Sequence, residues 1–453
     1  MLTQALQLRY FHLNWCCSKN TDMKVINSQP ISTFGGQNFV LDYLNKINIY
    51  SSFSDYLPEL GKQSKYSWKD IFGSILSIYM CGGDCIEDLQ THLKPHFRNN
   101  PYLNLSSPDT VLRRLRELSE KNNTCRTKRG TVDHTYNTNS KLEQLNISLL
   151  NRIGAFKSEE LTLDYDNTIL YNEKKDSKMT YKRNPGYQPG VCTLNEEHIL
   201  YIENRNGNSD AKSFQANTLK RLFNLLQGNN IKTVDHFRAD AASYQYDIVK
   251  LLTSKVKHFY IGCRNSYVEK YFTQATNWEK IVDSCNQPIE VGEINIIPFQ
   301  KQAKDQGKKP LTYRLIIKRK LKKDAQLDVF TQDTYEYRAI LTNNNNLTAT
   351  EIALFYNHRG NMEKQFDILK NDFGWNKMPF SKLEQNTVFL YFTAICRNLY
   401  KKIICYFSKK VKFLKSSYRV KKFMFRFICI PAKWVKSGRQ YKLRVYTSIA
   451  IKT

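Results

Sequence analysis

Three things are missing from this 453-residue chain. The first is a membrane-spanning apolar run. The longest candidate, "VFLYFTAICRNLYKKIICYF" from Val388 to Phe407, is broken by Arg397, Lys401 and Lys402, so the sequence reads as a soluble protein. The second is a disulfide framework. Eleven cysteines are scattered, odd in number and preceded by no secretory pattern, which reads as reduced thiols in the cytosol. Among them, Cys81, Cys85, His92 and His96 stand close together, but the Cys–His spacer is shorter than in zinc fingers and Gly82-Gly83 interrupts any helix. Buried thiols and surface histidines describe that set better than a metal site. The third absence is acid at the end: from Cys396 to Thr453 there is no Asp or Glu, against seventeen Lys and Arg.

What is present fits that last gap. Sixty-nine Lys and Arg against 41 Asp and Glu leave a formal charge of +28, which points to a polyanionic partner, nucleic acid first. In the terminal "YRVKKFMFRFICIPAKWVKSGRQYKLRVY", aromatic residues alternate with the cations. Lys and Arg neutralise phosphates, and Tyr, Phe and Trp pack beneath them or stack on bases. A hydrophobic content of 41%, with 28 Tyr and 25 Phe, is enough for a packed core.

Along the chain the pattern changes several times. Residues 1–22 fit poorly with the polar stretch that begins at Met23 and read as a disordered leader, or as lying ahead of a true start at Met23. Residues 23–157 read as a helical domain able to contact DNA. "NFVLDYLNKI" and "DIFGSILSIYM" have helical apolar spacing, and "SSPDTVLRRLREL" opens on a serine cap with Pro108 in its first turn. The polar stretch 120–141 reads as a mobile loop, followed by a short helix to Phe156. Residues 158–263 alternate β-β-β-α-β-α-β, an α/β mixed sheet with flanking helices. Residues 264–347 read as a β-rich insertion. Residues 348–408 are helical, opened by a Thr348/Glu351 capping box, and 409–453 form a basic extension.

The chemistry lies in the acids. Asp164 and Asp166 share one face of the strand "LTLDYDNTIL", and Asp240 stands just past the strand "IKTVDHFRAD". Ends of neighbouring strands in such sheets gather catalytic groups. Further on, "FYNHRGNMEKQFDILKNDFGW" read as one helix sets Tyr356, Arg359, Glu363 and Lys370 within an arc of about 60°. Such a stripe is either a solvated charged face or part of a site. Three converging carboxylates, Asp166 (or Asp164), Asp240 and Glu363, would need cations between them. Two Mg²⁺ ions serving phosphoryl transfer on nucleic acid are one answer.

The spacing Y-x2-R-x3-E-x6-K resembles the Y-R-E-K signature of bacterial insertion-sequence DDE transposases. "LDYDNT" and "RADAAS" resemble the family's two aspartate blocks, and "SDAKSFQ" and "KFMFRFICIPAKWVKSGRQYKLRVY" point to the insertion sequence thirteen-eighty family. The similarity runs from about Phe39 to Tyr446. Asn167 and Ala241-Ala242 depart from the usual pattern beside the aspartates. The resemblance implies a ribonuclease-H-like core interrupted by the β-rich insertion, with Asp166, Asp240 and Glu363 as catalytic, metal-binding acids holding two Mg²⁺ or Mn²⁺ ions. It makes Asp164 the rival or supporting acid, and Tyr356, Arg359, Lys370 and Trp278 the residues that grip DNA. It further implies cut-and-paste transposition: binding of terminal inverted repeats, strand cleavage and 3′-OH attack on target DNA. The protein would act as a homodimer in a synaptic complex, in the bacterial cytoplasm near the nucleoid. The competing readings are a transposase-derived DNA-binding protein without activity and a nuclease without strand transfer.

Overall fold

A computed structural model describes residues 31–98, 100–126, 133–231, 233–283, 286–322 and 334–447. The expected leader, 1–22, lies outside them. The strands, in chain order, are β1 (Asn123–Arg126), β2 (Asp133–Asn137), β3 (Thr162–Asn167), β4 (Leu170–Tyr171), β5 (Lys178–Met179), β6 (Pro185–Tyr187), β7 (Gly190–Leu194) and β8 (His198–Arg205). They continue with β9 (His236–Ala239), β10 (His258–Gly262), β11 (Thr276–Val282), β12 (Pro288–Ile296), β13 (Tyr313–Leu321), β14 (Tyr335–Thr342), β15 (Ala432–Ser437) and β16 (Gln440–Val445). Eleven of them form one sheet in the order β1-β2-β8-β7-β3-β9-β10-β14-β13-β12-β11. Within it β3, β9 and β10 run parallel, and the other pairings are antiparallel.

The α/β mixed sheet expected from the sequence is therefore present. The segment 264–347 supplies β11 to β14, which extend the same sheet beyond β10. The stretch 120–141 corrects the sequence reading: where a loop was expected, β1 and β2 pair, and β2 joins β8 through Tyr136↔Arg205 and Asn137↔Asn204. These strands look polar because they form the sheet's edge, where little is covered. β2 protects only one end of β8. Further along, the main-chain groups of β8 are taken by side chains: the Tyr391 hydroxyl accepts from Ile202 N at 3.1 Å and donates to Ile202 O at 2.8 Å. Asn398 likewise accepts from Ile199 N at 2.7 Å, and Asn146 donates to the carbonyls of Ile199 and Leu200. Buried side chains thus stand in for a missing neighbour strand.

Tyr391 and Asn398 belong to a 28-residue helix, Leu383–Lys410, which is buried on every side through its middle. It lies between β8 and the N-terminal helices, where Phe72 meets Phe392 and Tyr43 stacks on Tyr406 at 4.0 Å. No helix among the described residues is long and apolar enough to cross a membrane. The helix Pro108–Glu117 begins as read, with Ser107 accepting from Thr110 N. One apolar core runs from Val40 to Ile430 and crosses the expected boundaries at 157, 263 and 347.

The basic end folds back on the beginning. Ser32 and Ala432 form a β-bridge, Gly35 N donates to Ile430 O at 2.7 Å, and Trp434 Nε1 donates to Asn38 Oδ1 at 3.1 Å. A Cβ on Gly36 would come within 1.9 Å of the Phe427 carbonyl oxygen, so only glycine permits this approach.

A second correction concerns the striped helix. It is two helices, Ala349–Asn357 and Asn361–Asp372, joined by a tighter turn at His358–Gly360. The capping box at Thr348 and Glu351 is formed as read. Two features coincide with the break: the buried Arg238, distant in sequence, donates to the Phe355 carbonyl at 2.8 Å, and Gly360 weakens helix propagation. Tyr356 and Arg359 therefore lie before the joint, and Glu363 and Lys370 after it.

Candidate active site

Strand register builds the site. β3 and β9 are aligned as Thr162↔His236, Leu163↔Phe237, Asp164↔Arg238 and Tyr165↔Ala239, and β10 is aligned on β9 as Tyr260↔Arg238 and Ile261↔Ala239. Paired residues on neighbouring strands point to the same face, and every second residue repeats it. Asp164, Arg238 and Tyr260 thus form one row. One step beyond, at the C-terminal ends of the strands, the next row is Asp166, Asp240 and Gly262.

The lower row is a clamp. Arg238, fully buried, holds Asp164 through two bonds of 2.7 and 2.8 Å and Glu196 through one of 2.7 Å. Its guanidinium also lies 4.7 Å from the ring of Phe355. Burial pushes Asp164 up and Arg238 draws it back part of the way; burial pulls Arg238 down, and its two carboxylates outweigh that. With three carboxylate contacts on Arg238, we take the pair as ionised. Asp164 is tied into this clamp, and Asp166 stands one row nearer the strand ends.

In the upper row, burial and the neighbouring charge of Asp240 push the Asp166 carboxyl up to about 6. Asp166 Oδ1 accepts from Asn167 N at 2.8 Å, and Oδ2 accepts from Arg359 Nη1 at 3.0 Å. Asp240 caps the short turn after it, accepting from Ala242 N at 3.0 Å. Arg359 feels both acids, which with Tyr356 hold it above its ordinary value against the cost of burial. The guanidinium is the counter-charge of the carboxylate pair.

The third place in that row has no side chain, and Tyr356 fills it. A Cβ on Gly262 would meet the Tyr356 hydroxyl at 2.5 Å, and that hydroxyl donates to Ala239 O at 3.0 Å. Gly262→Ala is expected to force the ring away and cost about 1–3 kcal/mol. Adding Tyr356→Phe, which removes the clashing atom, should return most of that loss in a denaturation double-mutant cycle. Additive losses would show that the two residues do not compete for this space.

The other predicted residues are placed differently. Glu363 is exposed and makes no hydrogen bond or ion pair among the described residues. Lys370 is half-buried, and burial lowers it against the pull of Asp367. Trp278 lies on β11, five strands from β9, or about 24 Å along the sheet. There its indole donates to Ala275 O and the Arg319 guanidinium covers its ring at 3.9 Å. The structure thus gathers Asp166, Asp240, Arg359 and Tyr356, and leaves Glu363, Lys370 and Trp278 outside that contact.

Sequence reading passed over Arg238, Gly262 and Lys318. Lys318, lowered to about 8 chiefly by burial, donates to Asn357 Oδ1 at 2.7 Å and lies 5.9 Å from the Tyr356 ring. Arg238 could have been found: it stands two before Asp240, as Asp164 stands two before Asp166.

Among the described residues, no group of three or more His, Cys, Asp and Glu is arranged to hold a metal ion. Cys81 is buried in the core, His92 lies 3.7 Å from Asp88, and His96 Nδ1 accepts from Thr33 N. Of the acids, Asp166 and Asp240 fit a hard divalent ion by donor type and by their mutual repulsion, which a cation would relieve.

The chain is similar to three solved assemblies. The piggyBac transposase synaptic complex with hairpin DNA aligns with a TM-score of 0.41 at 10% identity, over 87% of this chain and 78% of that one. The Mos1 transposase paired-end complex with left transposon end gives 0.16 at 16% identity, over 44% and 60%. The Mos1 strand transfer complex gives 0.15 at 14%, over 52% and 78%. No curated protein matches the sequence. A family model for the transposase DDE domain, group 1, matches residues 25–453, and the chain belongs to that family of DDE transposases.

Proposed function

We propose that this transposase binds the terminal inverted repeats of its element, cleaves the DNA strands there and joins the freed 3′-OH to target DNA. The observation that carries the reading is the Asp166–Asp240 pair, in register at the ends of two parallel strands and countered by Arg359. The order β8-β7-β3-β9-β10, with the last three parallel, supports a ribonuclease-H-like core, and the strands of 264–347 support an insertion built onto it. The basic, aromatic tail supports a DNA partner. The spacing of Tyr356, Arg359, Glu363 and Lys370 supports membership of the insertion sequence thirteen-eighty group, and two ends held together would call for a homodimer.

In this reading Asp166 and Asp240 would hold divalent ions, with Glu363 as the third acid. Bound Mg²⁺ or Mn²⁺ would supply electrostatic stabilisation of phosphoryl transfer. The chain's own parts are then distinct. Arg238 fixes Asp164 and so the spacing of β3 and β9. Tyr356 anchors the helix on β9. Arg359 holds Asp166 and offers a second guanidinium edge to a phosphate. Lys370 and Trp278 remain candidates for contact with DNA further out.

A second reading, DNA binding without cleavage, is favoured by one observation: Glu363 is exposed, and among the described residues it is not grouped with the aspartate pair as a ready metal-binding set. The deciding experiment uses the gene's own flanking DNA, labelled at both ends, with Mg²⁺ or Mn²⁺, beside Glu363→Gln. Nicks at the inverted-repeat edges that vanish in the variant support the transposase. Specific binding without a cut supports the second reading, and cutting by Glu363→Gln excludes Glu363 from the site.

A further inference from the structure

The hairpin β15–β16 has two faces of different character. Its register pairs Ala432↔Val445, Lys433↔Arg444, Trp434↔Leu443, Val435↔Lys442, Lys436↔Tyr441 and Ser437↔Gln440. Paired residues share a face, and successive residues alternate between faces. Ala432, Trp434, Leu443 and Val445 therefore lie on one side, and Lys433, Lys442 and Arg444 on the other. The apolar side is fastened to the body. Trp434 Nε1 donates to Asn38 Oδ1, its ring lies 5.8 Å from that of Tyr102, and Ala432 bridges to Ser32. Exposure along β16 follows the alternation: Leu443 and Val445 are half-buried, while Lys442 and Arg444 are exposed. From Lys436 to Lys442 every residue is exposed, so the tip stands clear of the body. Ser437 and Gln440 close it over a two-residue turn that opens on Gly438 at φ 61°.

The cationic side is electrically unbalanced. Lys433 and Arg444 stand directly opposite each other, and Lys442 lies diagonal to Lys433. Like charges placed across a strand pair destabilise it. None of these three, nor Arg439 at the tip, makes an ion pair among the described residues. No Asp or Glu occurs from Cys396 to the end of the chain to offset them. A polyanion laid on this face would relieve the repulsion. We propose that the hairpin is a ribbon that docks on duplex DNA, with Lys433, Lys442 and Arg444 on phosphates and Arg439 and Gln440 at base edges in the major groove. That groove, about 12 Å wide, admits a two-stranded ribbon, and Arg and Gln are side chains that pair there with guanine and adenine. The strands are paired before contact, so docking orders few further residues. Resting on the DNA-binding function proposed above, the ribbon adds the surface that meets the duplex.

The test is binding of the full chain, across a salt series, to a duplex of the gene's own flanking DNA and to a shuffled duplex of equal length. Lys433→Gln, Lys442→Gln and Arg444→Gln together should lower the slope of log affinity against log salt by about two to three on both duplexes. Arg439→Ala with Gln440→Ala should instead reduce the preference for the flanking duplex by about tenfold. Melting temperatures equal to wild type verify that both variants fold. A third variant removes the same charge elsewhere, by Lys304→Gln, Lys308→Gln and Lys309→Gln, and should leave the slope unchanged. Equal slope losses in the two triple variants, or no loss in the hairpin variant, would overturn the ribbon as a docking face. Full preference kept by the tip variant would overturn the groove contact. A wild type without preference overturns base reading and end recognition together, and a slope loss confined to the hairpin variant would still uphold the phosphate face. Binding alone is read, so the outcome does not depend on whether the chain cuts DNA.

Discussion

Arg238→Met should destabilise the protein by about 3–5 kcal/mol, more than any other single change at the sheet. The substitution keeps much of the volume but removes the cation between Asp164, 1% exposed, and Glu196. It also releases the Phe355 carbonyl, so the helix break loses its bond to Arg238. Breaking one side of a buried pair leaves the other charge without solvent or partner, which is why the loss is large. Adding Asp164→Leu should restore part of it, since two apolar groups of suitable size replace a buried pair at little cost. Urea denaturation checks both variants. A loss below about 1 kcal/mol for Arg238→Met would mean that Asp164 is already neutral in the folded protein.

The second large effect is on activity. If the proposed reaction holds, Asp240→Asn should reduce end cleavage by about a thousandfold or more, because several kcal/mol of charge stabilisation would then depend on that carboxylate. The same change has a signature that needs no cleavage. Asp166 is raised to about 6, by burial first and by Asp240 second. A carboxyl raised in the fold favours the folded state at low pH. That contribution is complete below its ordinary value near 4 and is lost as pH rises through about 6. With Asp240 neutral, only burial is left to raise Asp166, so the loss should move to lower pH. Melting temperatures between pH 4 and 7.5 would show it, and identical profiles for wild type and Asp240→Asn would mean that the two acids do not interact.

The local structure was largely legible in the sequence. Period-two patterns gave β3, β7, β8, β9 and β10, and the Ser107 and Thr348 caps lie where the capping residues put them. What escaped was whatever depends on a distant partner. β1 and β2 look like loop because their pairing with β8 is invisible from composition. The helix joint at His358–Gly360 escaped because Arg238, whose bond to Phe355 coincides with it, lies 117 residues away from Phe355. At the site, alternation set Asp164 and Asp166 on one face, but only the register of β3 with β9 gives them separate tasks. Gly262 carries no chemical signal at all; its importance is a space that Tyr356 occupies.

The joining of Ser32, Gly35 and Gly36 to Phe427, Ile430 and Ala432 bears on how the protein is made. On the ribosome the helix Gly36–Lys46, the first among the described residues, emerges long before Phe427 and the paired strands β15 and β16, and long-range closure is slow. Until then the side of it that meets Phe427 is bare. A message cut short before Phe427 yields a chain in which that helix keeps its stack of Tyr43 on Tyr406 but lacks the contact of Phe39 with Phe427. Closure of this contact therefore waits on the last part of the described chain.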